Sequence, residues 1–135
     1  MEMCVAGTRI TQEGVDSMET KNQDRISELV EKQKDTYTSM ADEIWGYAEP
    51  RFQEYESSRV QQEYLASRGF SIRADLAGEK TAFIAEWGSG KPVLAFLGEF
   101  DALSSLQQEA DNLERCPIPG KTNGHGCGHH LLGTA

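Results

Sequence analysis

Pro92-Val93-Leu94-Ala95-Phe96-Leu97-Gly98-Glu99-Phe100-Asp101-Ala102-Leu103 is the stretch on which the fold turns. Its first half is an unbroken apolar run, the pattern of a strand buried on both faces. Its second half places two carboxylates, Glu99 and Asp101, at i and i+2 where the chain leaves that strand. In α/β sheets the carboxyl ends of the strands form the edge where ligands bind. An Asp at a strand end also commonly caps the turn that follows, so local sequence leaves both readings of Asp101 open.

Working outward, Thr81-Ala82-Phe83-Ile84-Ala85-Glu86-Trp87 is a second strand candidate, and Phe70 to Asp75 a shorter one. Gly88-Ser89-Gly90-Lys91, ahead of the apolar run, has the chemistry of a hairpin loop. Two helices precede the strands. Ile26, Leu29, Val30, Tyr37, Met40, Ala41, Ile44 and Trp45 recur at intervals of three and four. That spacing predicts one long amphipathic helix, with Asn22 or Asp24 as N-cap and Gly46 near its end. Trp45 and Tyr47 at helical spacing read as core packing in preference to a substrate platform. Pro50 breaks the helix. A second helix is expected from about Ser57 to Arg68, with Val60, Tyr64 and Leu65 on one face and Gly69 as its stop. Glu49, Glu54 and Glu56 lie beside its start, where acidic residues complement the helix dipole, and are read as structural.

Helices followed by strands around a buried one predict α/β layering. Residues 1–20 are polar and aperiodic and are expected to form a loose leader ahead of a domain over residues 21–135. Residues 104–122, with Pro117, Pro119 and Gly120, read as a long surface connection. A net charge of −9, from 13 basic and 22 acidic residues, argues against nucleic acid or an anionic membrane as the main partner. No apolar run approaches the ~20 residues that span a bilayer, and Met1-Glu2-Met3-Cys4 does not open a secretory signal. Cys4, Cys116 and Cys127 are odd in number and scattered, which favours a reducing compartment over a disulfide framework. A cytoplasmic location is expected.

The densest chemistry lies in Asn123-Gly124-His125-Gly126-Cys127-Gly128-His129-His130. The glycines remove bulk, so the backbone can bend and turn Cys127 and His129 towards one point. A thiolate and an imidazole are strong ligands for a divalent metal such as zinc. The competing reading is a Gly-rich turn whose Cys packs as a small apolar residue. Zinc-finger spacings are absent, and two ligands cannot complete a coordination sphere. His125 and His130 are either a third ligand or ordinary solvent-facing histidines. Cys116 and Cys127 have no recognised dithiol spacing.

Taken together, these motifs resemble the start of M20-family metallopeptidases. The likeness rests on Asp42-Glu43-Ile44-Trp45, Ala48-Glu49-Pro50-Arg51-Phe52, Leu65 to Phe70, Thr81 to Ala85, Gly88 to Val93, Leu97 to Leu103 and Gly124 to Gly133. It runs from about residue 22 to the end. It implies a zinc-exopeptidase-like layered sheet with helices, hydrolysing the amide bond of an acyl-amino acid or p-aminobenzoyl-glutamate-like substrate. The reaction centre it implies holds two divalent ions, manganese or zinc. Cys127 and His129 match the ligands of this branch. Asp101 matches the catalytic acidic residue beside the metals, suited to orient a ligand imidazole, with His129 as its partner. Glu99 stands where other branches place a ligand histidine and is carried over as site-lining, together with His125 and His130. Ser104 departs from a frequent Pro, and His130 from the usual Asn. In the family the general-base Glu, the remaining ligands and the dimerisation domain follow the Cys-Gly-His motif. The resemblance therefore implies the N-terminal part of a catalytic domain, inactive alone, for which an A-type sister subunit is the possible partner. The alternative, of a different class, is a non-catalytic α/β binding or interaction module.

Overall fold

A computed structural model describes the backbone of residues 12–135 and the side chains from residue 20 onward. Contacts divide the chain into two units, one ending at Asp35 and one covering Thr36–Ala135. Helix α1, Gln12–Tyr47, runs through that division. It starts ten residues ahead of the expected cap at Asn22. The reason is compositional: residues 12–21 contain Glu, Gln, Met and Lys, which favour helix, and no proline to stop it. Of the expected leader, residues 1–11 lie outside the described residues. In the first unit Ile26, Leu29 and Val30 are exposed, and Lys34 pairs with Glu31 at 3.2 Å in solvent, where such pairs contribute little.

In the second unit the predicted stripe does bury. Met40, Ala41 and Ile44 of α1 join Ala48 and Ala102 in the core, spaced to lie on one helical face. Tyr37 meets Tyr64 edge to face, with ring centroids 5.9 Å apart. Tyr64 belongs to α2, Tyr55–Ser67. The expected helix stop at Gly69 is observed in a left-handed conformation, φ 91°, which glycine adopts without a Cβ penalty.

The structural reading of Glu49 holds. Its carboxylate accepts the N–H of Glu56 at 3.0 Å and of Ser57 at 2.8 Å, and the Ser57 hydroxyl at 2.8 Å. These are otherwise orphan donors at the start of α2, so the loop across Pro50 is closed by a remote cap. Glu54, which is buried, accepts the Thr81 hydroxyl at 2.7 Å. Ser58 Oγ donates to the Thr81 carbonyl at 2.7 Å. Together they fasten α2 to strand β2.

Strands β1, Ser71–Leu76, and β2, Glu79–Glu86, pair antiparallel with Ile72 opposite Ala85. The hairpin therefore turns at Ala77-Gly78, not at Gly88–Lys91 as the loop chemistry suggested. Both turn residues have positive φ, 54° and 85°, the geometry that matches the twist of a tight hairpin. The larger correction concerns the run Pro92–Leu97. It lies in no strand, and Val93, Leu94, Phe96 and Leu97 are 76–97% exposed. A strand needs partners for its N–H and C=O groups, and among the described residues β2 pairs only with β1. The fold is thus mixed α/β, as expected in class, but built on small antiparallel sheets.

Two short strands, β3 at Leu103–Ser104 and β4 at Asn123–Gly124, pair antiparallel. Ala102 forms a parallel bridge to Pro50, and its N–H donates to the Glu49 carbonyl at 2.7 Å. Helix α3, His129–Thr134, ends the chain. No helix among the described residues is long and apolar enough to cross a membrane.

Candidate metal-binding site

Pairing of β3 with β4 fixes the site. It closes the long connection between residues 104 and 123, bringing the residue just before Ala102 and β3, Asp101, to the segment just after β4. Gly124 allows this approach. A Cβ there would stand 2.3 Å from the Leu106 carbonyl oxygen, inside any real contact. Gly128 then takes a left-handed conformation, φ 74°, and its carbonyl accepts the N–H groups of Leu131 and Leu132. That reversal starts α3 and aims His129 back at the strand end. Gly133 completes the fit, since a Cβ on it would lie 2.7 Å from the Glu99 carbonyl oxygen.

The result is an imidazole between two carboxylates. His129 Nδ1 lies 2.7 Å from Asp101 Oδ1, and His129 Nε2 lies 3.3 Å from Glu99 Oε2. The His129 side chain is 18% exposed, that of Asp101 23% and that of Glu99 66%, so one edge of the ring is sheltered and the other faces outward. A neutral imidazole has one N–H and one lone pair. The short contact assigns the N–H to Nδ1, donating to Asp101. Nε2 then faces the Glu99 carboxylate, a contact satisfied either by a second ring proton or by a bound cation. One imidazole nitrogen and one carboxylate oxygen on the open side, with an orienting carboxylate behind, would give a divalent cation two donors, and the rest of a coordination sphere would have to come from elsewhere.

Other predicted residues are placed differently. Cys127 is exposed, and no hydrogen bond or ion pair joins it to Asp101, Glu99 or His129. Among the described residues no group of three or more His, Cys, Asp or Glu side chains converges as a cation would require. The reason lies in the ring: Asp101 and Glu99 occupy opposite edges of the same imidazole. His125 turns the other way. Its Nε2 lies 3.2 Å from the Ile44 carbonyl, to which it donates, tying the motif to α1. Its ring centroid is 4.8 Å from that of His130. The Nδ1 atoms of both rings are buried without a hydrogen-bond partner. Burial is the main force holding His125 below the usual imidazole pKa, opposed by the Ile44 carbonyl. His130 is also lowered, by burial first and then by the His125 ring. The contact between Glu99 and His129 is the feature local sequence did not reveal, because the two lie thirty positions apart and meet only through the β3–β4 closure.

The sequence matches no family model. It is 44% identical over 110 residues to the B subunit of p-aminobenzoyl-glutamate hydrolase from Escherichia coli (strain K12). The match covers 82% of this chain and 23% of that protein, so the chain spans about a quarter of its relative's length.

Proposed function

We propose that this chain forms part of the catalytic region of a metal-dependent amidohydrolase of the M20 type. The expected substrate is an acyl-amino acid or a p-aminobenzoyl-glutamate-like amide. What supports the reading is the similarity to one subunit of a hydrolase. The single structural observation that carries it is His129, held by Asp101 at Nδ1 with Nε2 turned to Glu99. In this proposal His129 Nε2 and Cys127 hold a divalent ion, manganese or zinc, in a centre that takes two such ions when complete. Glu99, 3.3 Å from that nitrogen, would line the same centre. A bound divalent ion supplies Lewis acidity for the scissile carbonyl. The chain's own contribution is positional. Asp101 fixes the tautomer and orientation of His129, raises its basicity as a ligand, and keeps the ring from rotating. Cys127 is exposed and free, so its thiol is open to a ligand. The name of the relative, one subunit of an enzyme, suggests that the partner is a sister subunit.

Equilibrium dialysis of the chain against manganese or zinc tests the assignment. Binding should be lost in His129→Ala, and Asp101→Asn should weaken it by about 10–100-fold, the usual effect of removing a group that orients a ligand. Equal affinity in wild type and His129→Ala would refute the site. For turnover, p-aminobenzoyl-glutamate and acyl-amino acids are assayed with manganese present. Among the described residues no third ligand side chain joins the pair, so the chain by itself is expected to be inactive. Hydrolysis that disappears in Asp101→Ala would reverse that expectation.

A further inference from the structure

Between strand β4 and His129 lie His125, Gly126, Cys127 and Gly128. Two of the four are glycines and Cys127 is exposed, so the stretch has little side-chain packing of its own to hold it. His125 supplies a series of fixed bonds instead. Its Nε2–H donates to the Ile44 carbonyl at 3.2 Å, and Ile44 has none of its surface exposed. The His125 carbonyl accepts the Gly128 N–H at 3.2 Å, closing a turn over residues 125–128. The Gly128 carbonyl in turn takes N–H groups from the start of α3. The His125 ring also packs beside that of His130, with centroids 4.8 Å apart. One residue thus links a rigid point of α1 to both chain neighbours of His129.

The same ring carries a penalty. Nδ1 of His125 and Nδ1 of His130 are buried without a hydrogen-bond partner, a cost that leucine at either place would avoid. Unmet polar groups of this kind are expected where function, not stability, sets the residue. We propose that His125 is a positioning residue for the Asp101–His129 pair, its bond to Ile44 setting the direction in which the His129 ring leaves α3. The alignment is a property of the chain alone, while its effect on a divalent ion rests on the hydrolase reading given above.

Nitrogen-15 NMR of the metal-free chain at about pH 8, where ordinary imidazoles are neutral, reads the alignment. His129 Nδ1–H, held by Asp101 at 2.7 Å, should give a slowly exchanging ring-proton resonance that is absent in His129→Ala. His125→Leu fills much of the same space and removes the donor. It should leave the far-ultraviolet circular dichroism spectrum and the thermal midpoint near those of wild type, and lose that resonance to exchange with water. His125→Gln, whose amide nitrogen can donate to the same carbonyl, should restore it. In equilibrium dialysis zinc should bind about tenfold or more weakly to the leucine variant, and the glutamine variant should stay close to wild type. A resonance or a zinc affinity unchanged in His125→Leu would overturn the proposal. So would a glutamine variant no better than the leucine one, or a wild type without the resonance. A leucine variant that unfolds would make His125 a core residue and overturn it too. A wild type that shows the resonance, and loses it in His125→Leu, yet takes up no zinc would leave the alignment standing and defeat the hydrolase reading instead.

Discussion

Asp101 and His129 show how much one contact asks of its neighbours. The 2.7 Å bond between them exists because Gly124 and Gly133 let backbone pass where a side chain would not, and because Gly128 takes a left-handed turn. Gly133→Ala would press a methyl group against the Glu99 carbonyl. It is expected to cost about 1–3 kcal/mol, in line with overpacking elsewhere, and urea denaturation would measure it. The two lowered histidines give a pH dependence. Burial disfavours their charged forms in the folded state, so as pH falls below ~6.5 the unfolded chain takes up these protons first. Their contribution to stability is therefore present at neutral pH and is lost on acidification through that window. The urea midpoint should drop between about pH 7 and about pH 5, and drop less in His130→Asn. At this scale the sequence was informative about residue types and silent about partners. The Asp101–His129 pairing followed from the resemblance, whereas the outward Cys127 and the inward His125 depend on the left-handed step at Gly128 and the Ile44 carbonyl, which no spacing reveals.

Among the elements, α2 is the best determined by local physics. Glu49 caps it across a proline loop, and Glu54 with Ser58 pins it to β2 through Thr81. Glu49→Ala should destabilise the second unit by about 1–2 kcal/mol, the loss of a charged cap, seen as a lower thermal midpoint. Thr81→Val should do at least as much, because it strands the buried Glu54 carboxylate without its hydroxyl donor. The helices and their stops were legible because period and punctuation are local properties. The strands were less so. The predicted strand at Thr81–Trp87 pairs, as far as Glu86, with the segment before it, since Ala77-Gly78 closes a tighter turn than Gly88–Lys91 can. The apolar run at 92–97 carried the composition of a central strand, yet pairing depends on neighbours, and composition does not supply them.

For the molecule as a whole, the consequence is a second unit held by a small core. Of the buried apolar residues Met40, Ala41, Ile44, Ala48 and Ala102, three are alanines, and Ile44 is fully enclosed. Ile44→Ala is expected to remove about 2–5 kcal/mol, a large share of what a domain of this size has to lose, and should abolish a cooperative melt. The fold class was readable from the order of helices and strands, but not the extent of the sheets, because that is set by long-range pairing. The last helix has one more implication. Its six residues seat only where Gly133 slides under the backbone at Glu99. A bulkier residue at that position would lift the helix off its seat, and the polypeptide would keep every donor atom of its proposed ion cradle while the imidazole swung loose.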